Sequence, residues 1–315
     1  MNSVAAARAP ARALLVTGLQ GFVGQHLRRA LGQPSAPGWT VAGPLAEFDL
    51  LDPGATAVAI AAAQPDAVIH LAAQTAVPDS YRDPEATFTV NVFGTLRLLT
   101  ALAAQGFRGR FLYVGSADVY GLVPESRLPI DEHELPRPRN PYAVSKLAAE
   151  ALCWQWHVSN GIEVILARPF NHIGPGQSDR FVVSDFARQI IAIKHGQQSP
   201  CIRVGDLDTT RDFTDVRDVV GAYLALLERG VAGEIYNVCS GVERTIRSIL
   251  EELLSLAGVK VAIERDSTRM RQSEQRRVRG DPGKLYAATG WLPHVSITES
   301  LKDVLAYWEE RIGHG

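Results

Sequence analysis

Ala13-Leu-Leu-Val-Thr17-Gly18-Leu-Gln-Gly-Phe-Val-Gly24 is the stretch whose reading decides the fold. Ala13 to Thr17 read as a short buried strand. The glycines at 18, 21 and 24 read as a tight turn, and Val23, Leu27, Ala30 and Leu31 as one face of a helix that stops at Gly32. Strand, glycine turn and helix in this order are the context in which a glycine triplet holds a dinucleotide. Gly18 permits the turn, Gly21 lets backbone approach a pyrophosphate, and Gly24 lets the helix pack on the strand. Gln20, Phe22 and Val23 fall in the same turn, with the helix N-terminus facing phosphate charge.

Working outward, Trp39–Ala42 reads as the second strand. It is followed by Gly43-Pro44, neither an acid for ribose hydroxyls nor an arginine for a 2′-phosphate, so NAD and NADP both stay open. Asp49-Leu50 lies where the chain returns toward an adenine. Pro65–Ala73 is a continuous apolar third strand, as strands covered on both faces are. Its end, Leu71-Ala72-Ala73, would border a cofactor, and His70 reads as a satisfied core histidine rather than a proton carrier. Asp83-Pro84 opens one long helix carrying Phe88, Val92, Leu96, Leu99 and Leu102. Arg110–Val114 is the fourth strand and ends at Gly115-Ser116-Ala117-Asp118. Ligands of open α/β sheets bind at the carboxyl ends of the strands, which places Ser116 at the site.

The second informative stretch is Asn140-Pro-Tyr-Ala-Val-Ser-Lys146. Asn140 is a good helix cap and Pro141 suits the first helical position. Tyr142 and Lys146, four apart, share a helix face. A phenol titrates near pH ~10, and an ammonium close by lowers that value. Such a pair can exchange a proton near neutral pH, as general acid–base catalysis needs. The helix runs to Asn160-Gly161 and is apolar enough to be covered either by its own chain or by a partner subunit. Ile162–Ala167 is a fifth strand. Beyond it the alternation fades, leaving helices near 183–195, 246–256 and 297–310, an extended piece at 202–204, Arg211–Asp218 leading into a helix, and a strand at 234–238. The expected organisation is a loose tail (1–13), a Rossmann-like doubly wound parallel α/β sheet (14–169 plus 216–238), and a smaller discontinuous C-terminal substrate lobe (170–215 plus 239–315).

Composition narrows the partners. The 315 residues carry 46% apolar and 21% charged side chains with a net charge of −2, which gives no general pull toward nucleic acid or an acidic membrane. No apolar run approaches the ~20 residues of a membrane span. Cys153, Cys201 and Cys239 have no metal-ligand spacing and read as buried thiols of a cytoplasmic protein. Arg269, Arg271, Arg276, Arg277 and Arg279 crowd one segment without interleaved aromatics, so nucleic acid fits poorly. Arginine forks suit a diphosphate, and Glu274 could accept from ribose hydroxyls.

Taken in order, Thr17-Gly-x-x-Gly-x-x-Gly24, His70-Leu-Ala-Ala73, Ser116 with Tyr142-x-x-x-Lys146, Arg168-Pro-x-Asn171, Arg211-Asp-Phe213, and Arg271-x-x-Glu274 before Asp281-Pro-x-Lys284 resemble the extended short-chain dehydrogenase/reductases that act on nucleotide sugars. The resemblance spans nearly the whole chain. It implies reduction of the 4-keto group of GDP-4-keto-6-deoxy-D-mannose to GDP-D-rhamnose, with NADPH or NADH as hydride donor. It implies Ser116, Tyr142 and Lys146 as catalytic residues and Asp118, Asn171, Arg211, Arg271 and Glu274 as substrate contacts. It also implies a homodimer through the Phe88 and Tyr142 helices. A 4-epimerase, a 4,6-dehydratase and a reductase giving GDP-6-deoxytalose are the alternatives. Dehydratases of this family usually carry a donor–acid pair where this chain has Ala117 and Asp118, and alanine cannot give a proton.

Overall fold

Strands that are apolar along their whole length must be covered on both faces. The computed structural model, which describes residues 12–33, 38–43, 48–266 and 275–313, provides that cover. The strands are β1 (Arg12–Thr17), β2 (Trp39–Val41), β3 (Ala67–His70), β4 (Arg110–Val114), β5 (Glu163–Pro169), β6 (Asn171–Ile173), β7 (Cys201–Val204), β8 (Thr210–Asp215), β9 (Ile235–Val238), β10 (Glu243–Thr245) and β11 (Ala262–Arg265). Six of them form a sheet in the order β2-β1-β3-β4-β5-β9, parallel at every step. Its order reverses direction beside β1, the topological switch point where ligands of such folds bind.

The helices are α1 (Phe22–Leu31), α2 (Pro53–Ala63), α3 (Val77–Arg82), α4 (Pro84–Phe88), α5 (Gly94–Ala104), α6 (Pro141–Asn160), α7 (Val182–Lys194), α8 (Val216–Arg229), α9 (Ile246–Ala257), α10 (Gly283–Thr289) and α11 (Ile297–Ile312). One sheet face packs Leu14, Val16, Ile69, Leu112 and Ala167 against α1 and α8. The opposite face packs Leu15, Val68, Phe111, Val164 and Leu166 against α2, α5 and α6. The alternation along each strand thus separates α8 from α6 by the thickness of the sheet. A second core joins α7, α9 and α11 to β7 and β8. Within the later part of the chain, Leu285 and Trp291 return to the sheet side and pack into the first core.

Three expectations need correction. The stretch after Asp83 is not one regular helix. A π-turn, Thr89–Phe93, separates α4 from α5 and turns Asn91 inward. Its oxygen accepts from the Gln74 amide (2.8 Å), and its nitrogen donates to Gln74 O (3.0 Å) and Ser145 Oγ (2.9 Å). Those bonds tie the end of β3 to α6, which a straight α-helix at this register would not provide. Second, Pro84–Ala104 is long and apolar enough to cross a membrane by length and composition. Here it packs one face on α2 and α6. Cys153 and Cys239 are buried as expected, but Cys201 is only half-buried at the edge of β7, its thiol 3.6 Å from Glu264.

Candidate active site

The glycine turn forms as its sequence demands. Gly18 has φ +72°, and a Cβ on it would lie 2.8 Å from the Ala72 nitrogen. A Cβ on Gly24 would lie 2.3 Å from Gly18 O. Gly21 caps α1 with no side-chain acceptor. The first N–H groups of that helix therefore stay open toward the strand ends, where they form an anion site.

A cleft of about 1760 Å³ runs from this turn along the crest of the sheet into the lobe. Gly18, Gly21, Phe22, Val23 and Gly24 line one end, and Asp49, Leu50, Leu71, Ala72 and Ala73 line its wall. Ser116, Asp118, Tyr142 and Lys146 stand at the middle, and Asn171 and Arg211 at the lobe. Gln20 is exposed outside the lining, so of the expected cofactor residues it alone is not on the wall. Arg271 and Glu274 lie outside the described residues. The cleft is larger than the ~300–1,000 Å³ of an ordinary small-molecule site, so it has room for two ligands side by side. The open helix terminus, the turn that only glycine fits and the flanking Leu71–Ala73 wall suit a dinucleotide. A reduced nicotinamide cofactor bound there would supply hydride.

Asn140 caps α6, its side chain accepting from the Ala143 amide at 2.7 Å, and Pro141 opens the first turn. That start brings the Tyr142 phenol to the Ser116 hydroxyl, close enough for the serine to favour the phenolate. Ser116 ends β4 in extended backbone and accepts from the Asp118 amide at 3.2 Å. Asn140 also donates to Asp118 Oδ2 at 3.3 Å, which fastens the β4 end to the α6 start.

The electrostatics differ from the expectation for the phenol. Burial raises the Tyr142 hydroxyl well above its ordinary value; the Ser116 hydrogen bond offsets part of this, and the Asp118 charge adds to the rise. Lys146 does not depress it, because the ammonium, itself lowered by burial, has lost its proton before the phenol would ionise; its nitrogen lies 5.0 Å from the centre of the Tyr113 ring. Burial lowers the Lys146 ammonium to about 8, with Cys153 and Glu150 opposing. Tyr142 is thus held as a proton donor, and Lys146 as a cation near the edge of its charged range.

His70 is a structural histidine, as expected. Thr95 Oγ1 donates to Asn91 O (2.6 Å), so it accepts from His70 Nε2 (2.9 Å). His70 Nδ1 then accepts from Thr17 Oγ1 (2.6 Å), which itself accepts from the Ala72 amide (3.2 Å). Both ring nitrogens are committed, and burial lowers the ring to about 3, with Lys146 adding to the shift.

In the lobe, Arg211 donates to the carbonyls of Thr210 (2.5 Å) and Gln275 (3.0 Å), and so clasps the edge of the arginine-rich segment. Of that segment, Arg276 pairs with Asp206 and Arg277 with Glu243 and Glu125. Gln275 and Val278, not these arginines, reach the cleft. Gln74, which closes the third strand where the sequence places a cofactor, also lines it, as does His172, which sequence reasoning passed over. Gln74 leaves its buried Oε1 without a partner, and His172 stacks on Phe22 at 6.0 Å between ring centres. Nothing in the local sequence pointed to His172.

The model of the GDP-mannose 4,6 dehydratase family matches residues 41–304. The chain is 52% identical over 299 residues to a protein of Pseudomonas aeruginosa named GDP-6-deoxy-D-mannose reductase, covering 95% of this chain and 98% of that one. It is 29% identical to the GDP-6-deoxy-D-talose 4-dehydrogenase of Aggregatibacter actinomycetemcomitans, over 88% of this chain and 91% of that one. Among solved structures, RMD from Pseudomonas aeruginosa complexed with NADPH superposes with a TM-score of 0.92 at 52% identity, covering 96% of this chain and 100% of that one. The UDP-glucose 4-epimerase of Thermus thermophilus in complex with NAD superposes at 0.81 with 28% identity, covering 95% and 99%. By its parallel sheet, its glycine turn and these matches, the chain belongs to the GDP-mannose 4,6 dehydratase family of nucleotide-sugar short-chain dehydrogenase/reductases.

Proposed function

We propose that the chain is an NAD(P)H-dependent oxidoreductase that reduces the 4-keto group of GDP-4-keto-6-deoxy-D-mannose to give GDP-D-rhamnose. The observation that carries this is the meeting of the Ser116 and Tyr142 hydroxyls inside one cleft, with Lys146 one helical turn from Tyr142 and Ala117 beside them. A ketone oxygen placed between the two hydroxyls accepts both hydrogen bonds. As hydride adds to the carbon, charge grows on that oxygen, and preformed donors in a dry site stabilise it. Tyr142, kept protonated by burial, passes its proton to the oxygen. Lys146 provides positive charge beside the phenolate that remains.

Ala117 offers no acid for eliminating a 6-hydroxyl, which disfavours dehydration despite the family's name. The relative named for GDP-6-deoxy-D-mannose and the related complex with NADPH support both substrate and cofactor. Asn171 and Arg211, with Arg271 and Glu274, are assigned to the nucleotide diphosphate. The rest of the lobe, 170–215 plus 239–315, is assigned to the nucleotide sugar and 14–169 plus 216–238 to the cofactor.

Phe93 is 50%, Trp154 51% and Val158 62% exposed on the α5 and α6 side of the molecule. We assign that side to a homodimer contact, and a monomeric mass by light scattering would refute it. Three free cysteines fit a reducing compartment such as the cytoplasm. To test the reaction, purified protein is mixed with the keto-sugar and NADPH or NADH, and absorbance of the reduced cofactor is followed. One mole consumed per mole of sugar is expected. Turnover of sugar without net consumption would point to an epimerase.

A further inference from the structure

Tyr223 is wholly buried on α8, packed with Val16, Ala167 and Val219. Its neighbours in that core are apolar, and its hydroxyl has no hydrogen-bond partner. An unpaired buried hydroxyl costs on the order of 1–3 kcal/mol, so such groups are uncommon unless something outside the chain meets them. Where the ring ends is informative. α8 covers the sheet face opposite α6, but Tyr223 lines the same cleft as Tyr142 and Lys146. Its side chain therefore rises past the strand ends to the floor of the cleft, beside Val16 and Val114. It also comes near enough to Tyr142 for that phenol to add to the rise in its own pKa. Burial holds the Tyr223 hydroxyl protonated, so it is a standing donor and no general base.

We propose that Tyr223 is a cofactor-binding residue: from the floor of the cleft its hydroxyl hydrogen-bonds the carboxamide of the nicotinamide half of the dinucleotide. The carboxamide suits because it offers both a carbonyl and an amide to a hydroxyl, and because this part of the floor lies by Tyr142, where the reacting end of the cofactor must come. The bond fixes rotation of the ring, and so which face meets the sugar. The assignment rests on the reductase reading given above.

Tyr223→Phe keeps the ring and removes one atom that has no partner, so the unliganded variant should melt at the wild-type temperature or above it. Dissociation constants are then measured by titration calorimetry for NADPH and for adenosine 2′,5′-bisphosphate, which lacks the nicotinamide half. Loss of one hydrogen bond predicts NADPH binding weakened about three- to tenfold, with the bisphosphate unchanged. The rise in melting temperature caused by saturating NADPH should shrink in step. Unchanged NADPH affinity would overturn the proposal, since the hydroxyl would then be met by water. Equal weakening of both ligands would overturn it too, because the effect would then come from the fold. If wild-type protein binds neither NADPH nor NADH, the reductase reading fails first. If wild type binds and Tyr223→Phe binds as well, only the Tyr223 assignment falls.

Discussion

Lys146 and Arg168 are two cations taken out of water near the end of β5 and the start of α6, 4% and 2% exposed respectively, and they are held in opposite ways. Burial pulls on both. Arg168 donates from Nε and Nη2 to the two carboxylate oxygens of Glu150 at 2.9 and 2.5 Å, and these bonds and that charge hold it above its ordinary value despite burial. Its guanidinium also faces the Tyr120 ring at 4.8 Å. Lys146 has a ring below it and the cleft ahead, and burial lowers it to about 8. The lesson concerns what each charge is free to do. A fork locked on a carboxylate fixes geometry, whereas an ammonium held at its titration edge beside a cavity is available to a ligand and to a proton donor.

Removing a group on each side should separate the two roles. Tyr142→Phe should lower kcat by about 10³- to 10⁴-fold, at the upper end of what a general acid contributes, while leaving the melting temperature in place. Steady-state kinetics and calorimetry on the same preparation check both halves. Arg168→Ala should do the reverse. It leaves Glu150 buried and unpaired and costs about 3–5 kcal/mol of stability by denaturant unfolding, with kcat of the folded fraction far less affected. If Arg168→Ala abolished activity without destabilising, the division between structural and chemical charge would be wrong.

Ser116→Ala should cost about 10²-fold in kcat with little change in stability, as expected for one donor to a developing oxyanion. The smallest effect is the response to pH. Because Lys146 is lowered to about 8, kcat should fall as pH rises through that value. Stability should move the other way. Between about pH 8 and the ordinary lysine range near ~10.4 the unfolded chain holds a proton that the folded chain has released, so this group's contribution to stability improves as pH rises. Lys146→Arg, charged throughout, should remove the alkaline fall.

Much of this was legible in the chain. Gly18, Gly21 and Gly24 announced the turn because their spacing answers a local steric demand, and Asn140-Pro141 announced α6 because caps are local chemistry. What was missed depends on partners far apart in sequence. The π-turn at Thr89–Phe93 exists because Asn91 reaches Gln74 and Ser145, and the pattern of apolar residues is the same with or without it. The Tyr142 phenol was read as lowered because four-residue spacing puts Lys146 on its face. The fold instead buries both groups, which raises the phenol and lowers the ammonium, and that burial depends on packing from elements remote in sequence. Asp212, inside the recognised Arg211-Asp-Phe213 motif, proves a buried hub. It accepts from Ser240 N at 2.8 Å, Gly241 N at 2.9 Å and Gly280 N at 3.1 Å, and so ties the turn at 240–241 and the segment at 280 to β8, which no local rule connects.

The central claim is that Ser116 and Tyr142 converge on one ketone oxygen. It is tested most directly by a crystal structure of the protein with NADP and a GDP-linked 6-deoxyhexose bound together. The account predicts both hydroxyl oxygens within about 2.6–3.2 Å of the sugar oxygen at carbon 4. A sugar whose carbon-4 oxygen lies away from Tyr142, with another side chain supplying the proton, would contradict it.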